Sequence, residues 1–313
     1  MARQPSRAVL QSAALAGKRV VAVGERGIVV YSDDAGQSWR QAPVPVSVGL
    51  VALRFVDAQR GWAVGHGGVV LGTTDSGTSW VKLFDGRQAA QRLLEAARAS
   101  ADPRALGDAE RLVAEGADKP FLDVHFFDER NGIVVGAYNL AFATSDAGRT
   151  WQPISHRLEN PNGFHLYAVR ARGDEVVIAG EQGLLLRSTD RGQSFTRLDV
   201  PYKGSFFTLE LIGSNDIVIA GLRGNVLHSQ DGGVSWTPVK VPVPVSFTAS
   251  AVDAKGRLWL GNQAGMLYHF DGGQLTPVVS KLPPLTSLLP LPNGRALALS
   301  MAGAVPVNLE RSK

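Results

Sequence analysis

Apolar residues along this chain come in short alternating bursts, broken by Gly, Asp and Ser. In one stretch, alternation from Leu50 to Val56 predicts a first strand (A), and Gly61–Val64 predicts a second (B). Val69–Thr73 and Ser79–Leu83 predict a third and a fourth (C and D), with turn residues at Ala58–Arg60, Gly65–Gly68 and Asp75–Thr78. The same order recurs along the sequence. The pattern [S/T]-x-D-x-G-x-[S/T]-[W/F] occurs five times, centred on Asp34, Asp75, Asp146, Asp190 and Asp231 and ending on Trp39, Trp80, Trp151, Phe195 and Trp236. Eight residues before each box stands a glycine: Gly24, Gly65, Gly136, Gly180 and Gly221. A sixth lead-in at Gly261 precedes a degenerate box (His269, Asp271, Gly273), and Ser300 takes the glycine position in a seventh copy. The spacings are 41, 71, 44, 41, 40 and 39 residues. Four strands per ~40-residue unit is the signature of a β-propeller blade, so the fold expected over residues 1–313 is all-β, one seven-bladed propeller.

Only the 71-residue interval departs from the period, and its surplus is too short for another blade. It is read as an insertion at about 86–117, between blades two and three, folded as a helical hairpin. The first helix, about Arg87–Ser100, carries Ala90, Leu93, Leu94 and Ala97 on one stripe. The second has Asp102 as N-cap and Pro103 in its first turn, and stops at Gly116. Its charges balance at five Arg and five acids, which argues against a basic membrane-binding helix. At the other end, the seventh unit lacks a fourth strand, and residues near Gln4–Arg7 are expected to supply it and close the ring.

Composition narrows the function. Glycine is 35 of 313 residues, in keeping with many turns, and 44% hydrophobic content suits a folded core. No apolar run approaches the ~18 residues of a membrane span, and the first twenty residues lack a signal-peptide core, so either the chain is cytosolic or an export signal is missing. The net charge of +4 comes from 24 Arg and 8 Lys set against 28 acids, scattered without a basic tract, which disfavours nucleic acid. Cysteine is absent, which removes disulfides and thiolate chemistry and suits an oxidising compartment.

The boxes read as structural. Each Asp is placed to accept backbone N–H groups of a tight C–D turn, each Gly to supply a positive φ, and each aromatic ring to pack between sheets. No catalytic, metal or cofactor site is expected. The six His show no H-E-x-x-H or i, i+4 pairing, and His156, Glu159 and His165 read as an exposed loop before a metal site. The Gly-x-x-Gly turns lead into strands, which removes the helix N-terminus that a phosphate cradle needs.

The boxes are Asp-box (BNR) repeats, which sialidases also carry. The segments Asp118-Lys119-Pro120-Phe121-Leu122-Asp123-Val124 and Gly132-Ile133-Val134-Val135-Gly136-Ala137-Tyr138 make the sequence more similar to the photosystem II stability and assembly factor family, in its proteobacterial branch. That resemblance covers essentially the whole chain. It implies a non-enzymatic, periplasmic accessory factor for an integral membrane protein or membrane complex, with an RND-type envelope transporter as the suspected partner. The alternative is an Asp-box glycosidase or glycan-binding lectin. The sialidase Arg triad and Tyr–Glu pair are not recognisable, since the five Tyr include Tyr31 and Tyr268 inside C strands.

Propeller geometry places B–C turns and D–A loops on one face and the boxes on the other. The hairpin rises from the B–C face and is read as a docking element in preference to a cap. Candidate partner-binding residues are Arg26, His66, Tyr138 and Arg223 on the B–C turns, with Arg92 and Arg98 on the hairpin.

Overall fold

The structure is a computed structural model that describes residues 7–100, 102–116 and 118–310. Seven antiparallel sheets follow one another in sequence around a central channel. Each A strand packs against the A strands of its neighbours, and contact between Leu10–Ala16 and Leu285–Pro290 closes the ring. Blade two runs Leu50–Phe55, Gly61–Gly65, Val70–Thr73 and Val81–Phe84, within two residues of the strands expected from alternation. Six sheets have four strands, and the seventh (Leu285–Pro290, Arg295–Ser300, Gly303–Asn308) has three among the described residues. The expected closing segment falls largely on Gln4–Ser6, outside the described residues.

The B strand is the buried centre of each blade: Val20–Val23, Val176–Ala179 and Ile217–Ala220 are almost wholly inaccessible. The core is shared between adjacent sheets. Trp62 of blade two stacks on Phe126 of blade three, with Trp151 edge-on to the Phe126 ring. This inter-blade burial at ~25 cal/mol per Å² is what holds the sheets together, since sheets this small are marginal alone.

The anchor glycines have a steric cause. A Cβ at Gly24, Gly65, Gly136, Gly180 or Gly221 would run into a carbonyl oxygen just before its own A strand. Blade six departs from the expected register. Phe247, which opens its A strand, pairs with Asn262 and not with Gly261, so Asn262 takes the anchor place. Its Oδ1 accepts the N–H groups of Ala264 and Met266, and Ser300 Oγ accepts Ala302 N–H at the same place in blade seven. A side chain there organises the turn that Gly-x-x-Gly backbone shape organises in blades one, two, four and five. The expected box at His269, Asp271 and Gly273 is likewise replaced, by a two-residue Gly272–Gly273 hairpin joining Asp271 to Gln274.

The insertion forms two helices, α1 (Gly86–Ser100) and α2 (Pro103–Glu115). Asp85 accepts the N–H groups of Arg87 and Gln88 at the start of α1, and Asp102 accepts those of Arg104 and Ala105 at the start of α2. Ala89, Leu93 and Leu112 join the core between blades two and three, while Leu94, Ala97 and Ala109 close the hairpin on itself.

Candidate functional site

The two faces separate by hydrogen bonding. His66 N–H of a B–C turn donates to Gly49 O of the preceding D–A loop, whereas Ser76 N–H of a box donates to Gln59 O of an A–B turn. In the first box, Ser32 Oγ donates to Asp34 Oδ1 and accepts Gly36 N–H. Asp34 Oδ1 also accepts the N–H groups of Gln37 and Ser38. These bonds, led by Ser38 Oγ, lower the Asp34 carboxyl to about 2. Ser235 does the same to Asp231, also to about 2, and Ser194 lowers Asp190. In Asp75 and Asp146, burial acts upward, but the box hydrogen bonds outweigh it. Every box glycine has positive φ (Gly36 at +87°). Each also lies against the preceding blade: Gly36 on Leu297, Gly77 on Val21, Gly148 on Leu83, Gly192 on Ile133 and Gly233 on Leu198. Trp39, Trp80 and Trp151 donate Nε1–H to the carbonyl of their box glycine. Phe195 is buried without such a bond, and Trp236 Nε1 is buried without a partner.

On the opposite face, Arg26, Tyr138, Gln182 and Arg223 stand at the same turn position with φ between +52° and +57°, where Gly67 stands in blade two. A left-handed non-Gly residue costs about 1 kcal/mol or more, and four blades keep one here. Tyr138 is 60% exposed. Its N–H donates to His165 Nδ1, and Lys119 lies over its ring. His66, Arg26, Arg223, Arg92 and Arg98 are exposed, and Arg92 pairs with Glu95. α1 packs beside the His66–Gly68 turn, and Arg104 reaches Pro161 O in the loop between blades three and four. Among the described residues no hydrogen bond, ion pair or ring contact joins any two of the six candidates. They share a face without forming a cluster.

The cluster that does form was not anticipated, and it lies in the central channel, a cavity of about 560 Å³. In all seven blades the second A-strand residue is skipped in the pairing with the B strand, a recurrent bulge that re-aims the side chains beside it. Val51, Leu122, Tyr167 and Phe207, all skipped residues, line the channel together with Arg54, Asp123, His125, Arg170 and Glu210. Arg170 donates to Asp123 at 2.6 Å and lies 3.4 Å from Glu210, which also accepts from Ser250. Burial acts to raise the Asp123 carboxyl, but Arg170, Arg54 and the amides of Val169 and Val124 outweigh it and lower it. Burial, then Arg54 and Arg170, lowers His125 to about 4. Among the described residues no group of three potential metal ligands occurs, and no helix is long and apolar enough to cross a membrane.

By fold and repeat, this is a seven-bladed Asp-box propeller. The resemblance to the assembly-factor family is matched over residues 111–239, which fit the family described as photosynthesis system II assembly factor YCF48. The photosystem II assembly lipoprotein Ycf48 of Synechococcus sp. (strain CC9902) is 37% identical over 96 residues, a stretch that is 30% of this chain and 29% of that protein. A solved structure described as YCF48 bound to D1 peptide superposes over 98% of this chain and 95% of its own, with TM-score 0.70 and 17% identity. The GH74 xyloglucanase of Xanthomonas campestris reaches the same TM-score at 13% identity, over 98% of this chain and 53% of its own, a likeness of fold alone.

Proposed function

We propose that the protein is a non-enzymatic docking and assembly factor for an integral membrane protein, and that it engages its partner through the B–C face. The match to the assembly-factor family over residues 111–239 carries this reading, because that stretch supplies the end of α2 and the turns bearing Tyr138, Gln182 and Arg223. A Ycf48 structure described with a D1 peptide supports a membrane-protein subunit as the class of partner. The periplasm and an RND-type transporter are the location and partner that the sequence resemblance supplies for a non-photosynthetic host. The positive-φ Arg and Tyr residues also support the face, since strain retained on an exposed surface is a mark of recognition.

The glycosidase alternative has less support. Asp123, which Arg170 and Arg54 hold below the usual carboxylate range, is a poor candidate for the protonated acid that a glycosidase needs. The channel lining contains two arginines and not a triad. The test is affinity capture from membranes of the native host, using the tagged chain and a variant in which residues 87–115 are replaced by a short Gly/Ser link. The intact chain is expected to retain a membrane protein that the folded variant does not. Equal capture by both would overturn the hairpin's role, and no membrane-protein capture by the intact chain would overturn the reading.

A further inference from the structure

The channel cluster divides into a satisfied half and an unsatisfied half. Asp123 Oδ1 accepts Val124 N–H, and its Oδ2 accepts Val169 N–H and Arg170. Arg170 bridges to Glu210, Glu210 accepts from Ser250, and Ser250 meets Thr208. Arg54 reaches this network only through a loose ion pair with Asp123. Its nearest carboxylate oxygen, on Asp123, is 3.9 Å away, beyond hydrogen-bond distance. Its guanidinium makes no hydrogen bond with a described residue, although the group carries five donors. A third of its side chain remains accessible, and it lines the cavity. His125 lines the same cavity from the next blade, with its ring edge-on to Phe127 and without a side-chain hydrogen bond to a described residue.

We propose that the central channel is a carboxylate-binding site, in which the Arg54 guanidinium receives the anion and His125 supplies a second donor. Guanidinium and carboxylate match as planar two-point partners. The charges around the site select a monoanion: Arg54 and Arg170 are balanced by Asp123 and Glu210, whose carboxylates oppose a second negative charge. The cavity is within the range that holds a small organic molecule, and Val51, Leu122, Tyr167 and Phe207 give it an apolar wall for the rest of the ligand. The carboxylate has two possible sources, a dissolved small organic acid or an acidic side chain of a protein segment entering the channel. This site goes beyond the docking reading and does not depend on it.

Linkage supplies a signature. Arg54, Arg170 and Asp123 face His125, and Glu210 lies one pair further on; a carboxylate beside the ring favours its protonated form. Bound anion therefore raises the His125 pKa, and affinity rises as pH falls. The test is NMR titration of the full chain at constant ionic strength, between pH 4 and 7.5, which spans the folded His125 value of about 4 and the expected bound value. Formate is one probe and acetyl-Ala-Glu-Ala-amide the other, with neutral formamide as the control. Saturable shifts at Val124 and His125 are expected with at least one carboxylate probe, together with a rise of about one unit in the His125 pKa, equivalent to tenfold coupling. Arg54→Gln is expected to weaken binding about tenfold or more, and Arg54→Lys, which keeps the charge and the fold of the wall, to weaken it less. Response to the peptide alone assigns the source to an acidic side chain, and response to formate shows that a small acid suffices. No saturable shift with either probe, or undiminished binding in a natively folded Arg54→Gln variant, would overturn the proposal.

Discussion

At the scale of single residues, acid should destabilise this protein in two stages. The folded chain holds His125 at about 4, whereas an unfolded chain takes up the proton near the ordinary histidine value of ~6.5. Between those values the unfolded state binds more protons, so stability falls as pH drops from ~6.5 to ~4. The box aspartates are depressed, so their contribution is complete above the unfolded value near 3.9 and is lost as pH falls towards about 2. Thermal melts across pH 8 to 2 are expected to show both stages. His125→Gln should flatten the upper one and Asp34→Asn should reduce the lower. A single stage centred below pH 4, with no effect of His125→Gln, would contradict the environment assigned to that ring. Trp80 is 5% exposed and tied to Gly77 O. Trp80→Ala is therefore expected to cost about 3–5 kcal/mol by chemical denaturation, and a loss below ~1 kcal/mol would mean that its pocket collapses freely.

Among the elements, α1 and α2 are built to be separable from the sheets. They enter at Asp85 and leave near Lys119, within one D–A connection, and loop-length changes there cost little closure entropy. Replacing residues 87–115 is expected to leave far-UV strand signal and cooperative unfolding intact, although truncating Ala89, Leu93 and Leu112 from the blade two–three core should lower Tm by a few degrees. Loss of cooperative unfolding would show that the hairpin is part of the propeller's core. The helices were legible in the sequence because caps and a 3.6-residue stripe are local signals. Asp34 and its counterparts were legible because repetition removes chance. Arg54, His125 and Arg170 were not. Each occupies the fifth place of a different A strand, where the seven blades carry Ala14, Arg54, His125, Arg170, Glu210, Ala251 and Leu289 and so show no repeat, and a bulge beside it decides that it faces the channel. The one available signal was charge inside otherwise apolar strands. Asn262 was missed for a related reason: Gly261 beside it looks like the anchor, and only strand pairing distinguishes the two.

For the whole molecule, the boxes make the ring unequal. Blades one to five each set a box glycine tightly against the blade before them, whereas in blade six a Cβ at Gly273 would only graze His228 at 3.9 Å, and blade seven has three strands among the described residues. Native-state hydrogen exchange is expected to show Leu258–Asn262 and Ala296–Ser300 of the B strands exchanging faster than Val20–Val23 and Ile217–Ala220, although all are similarly buried. Uniform protection around the ring would show that the apolar blade interfaces alone set local stability. The five riveted joints thus run from blade seven through blade one to blade five as an open clasp that blade six closes, and the channel with Arg54 runs along its axis. A ring fastened in this way is weakest on either side of blade six, and that is where local opening is expected to begin.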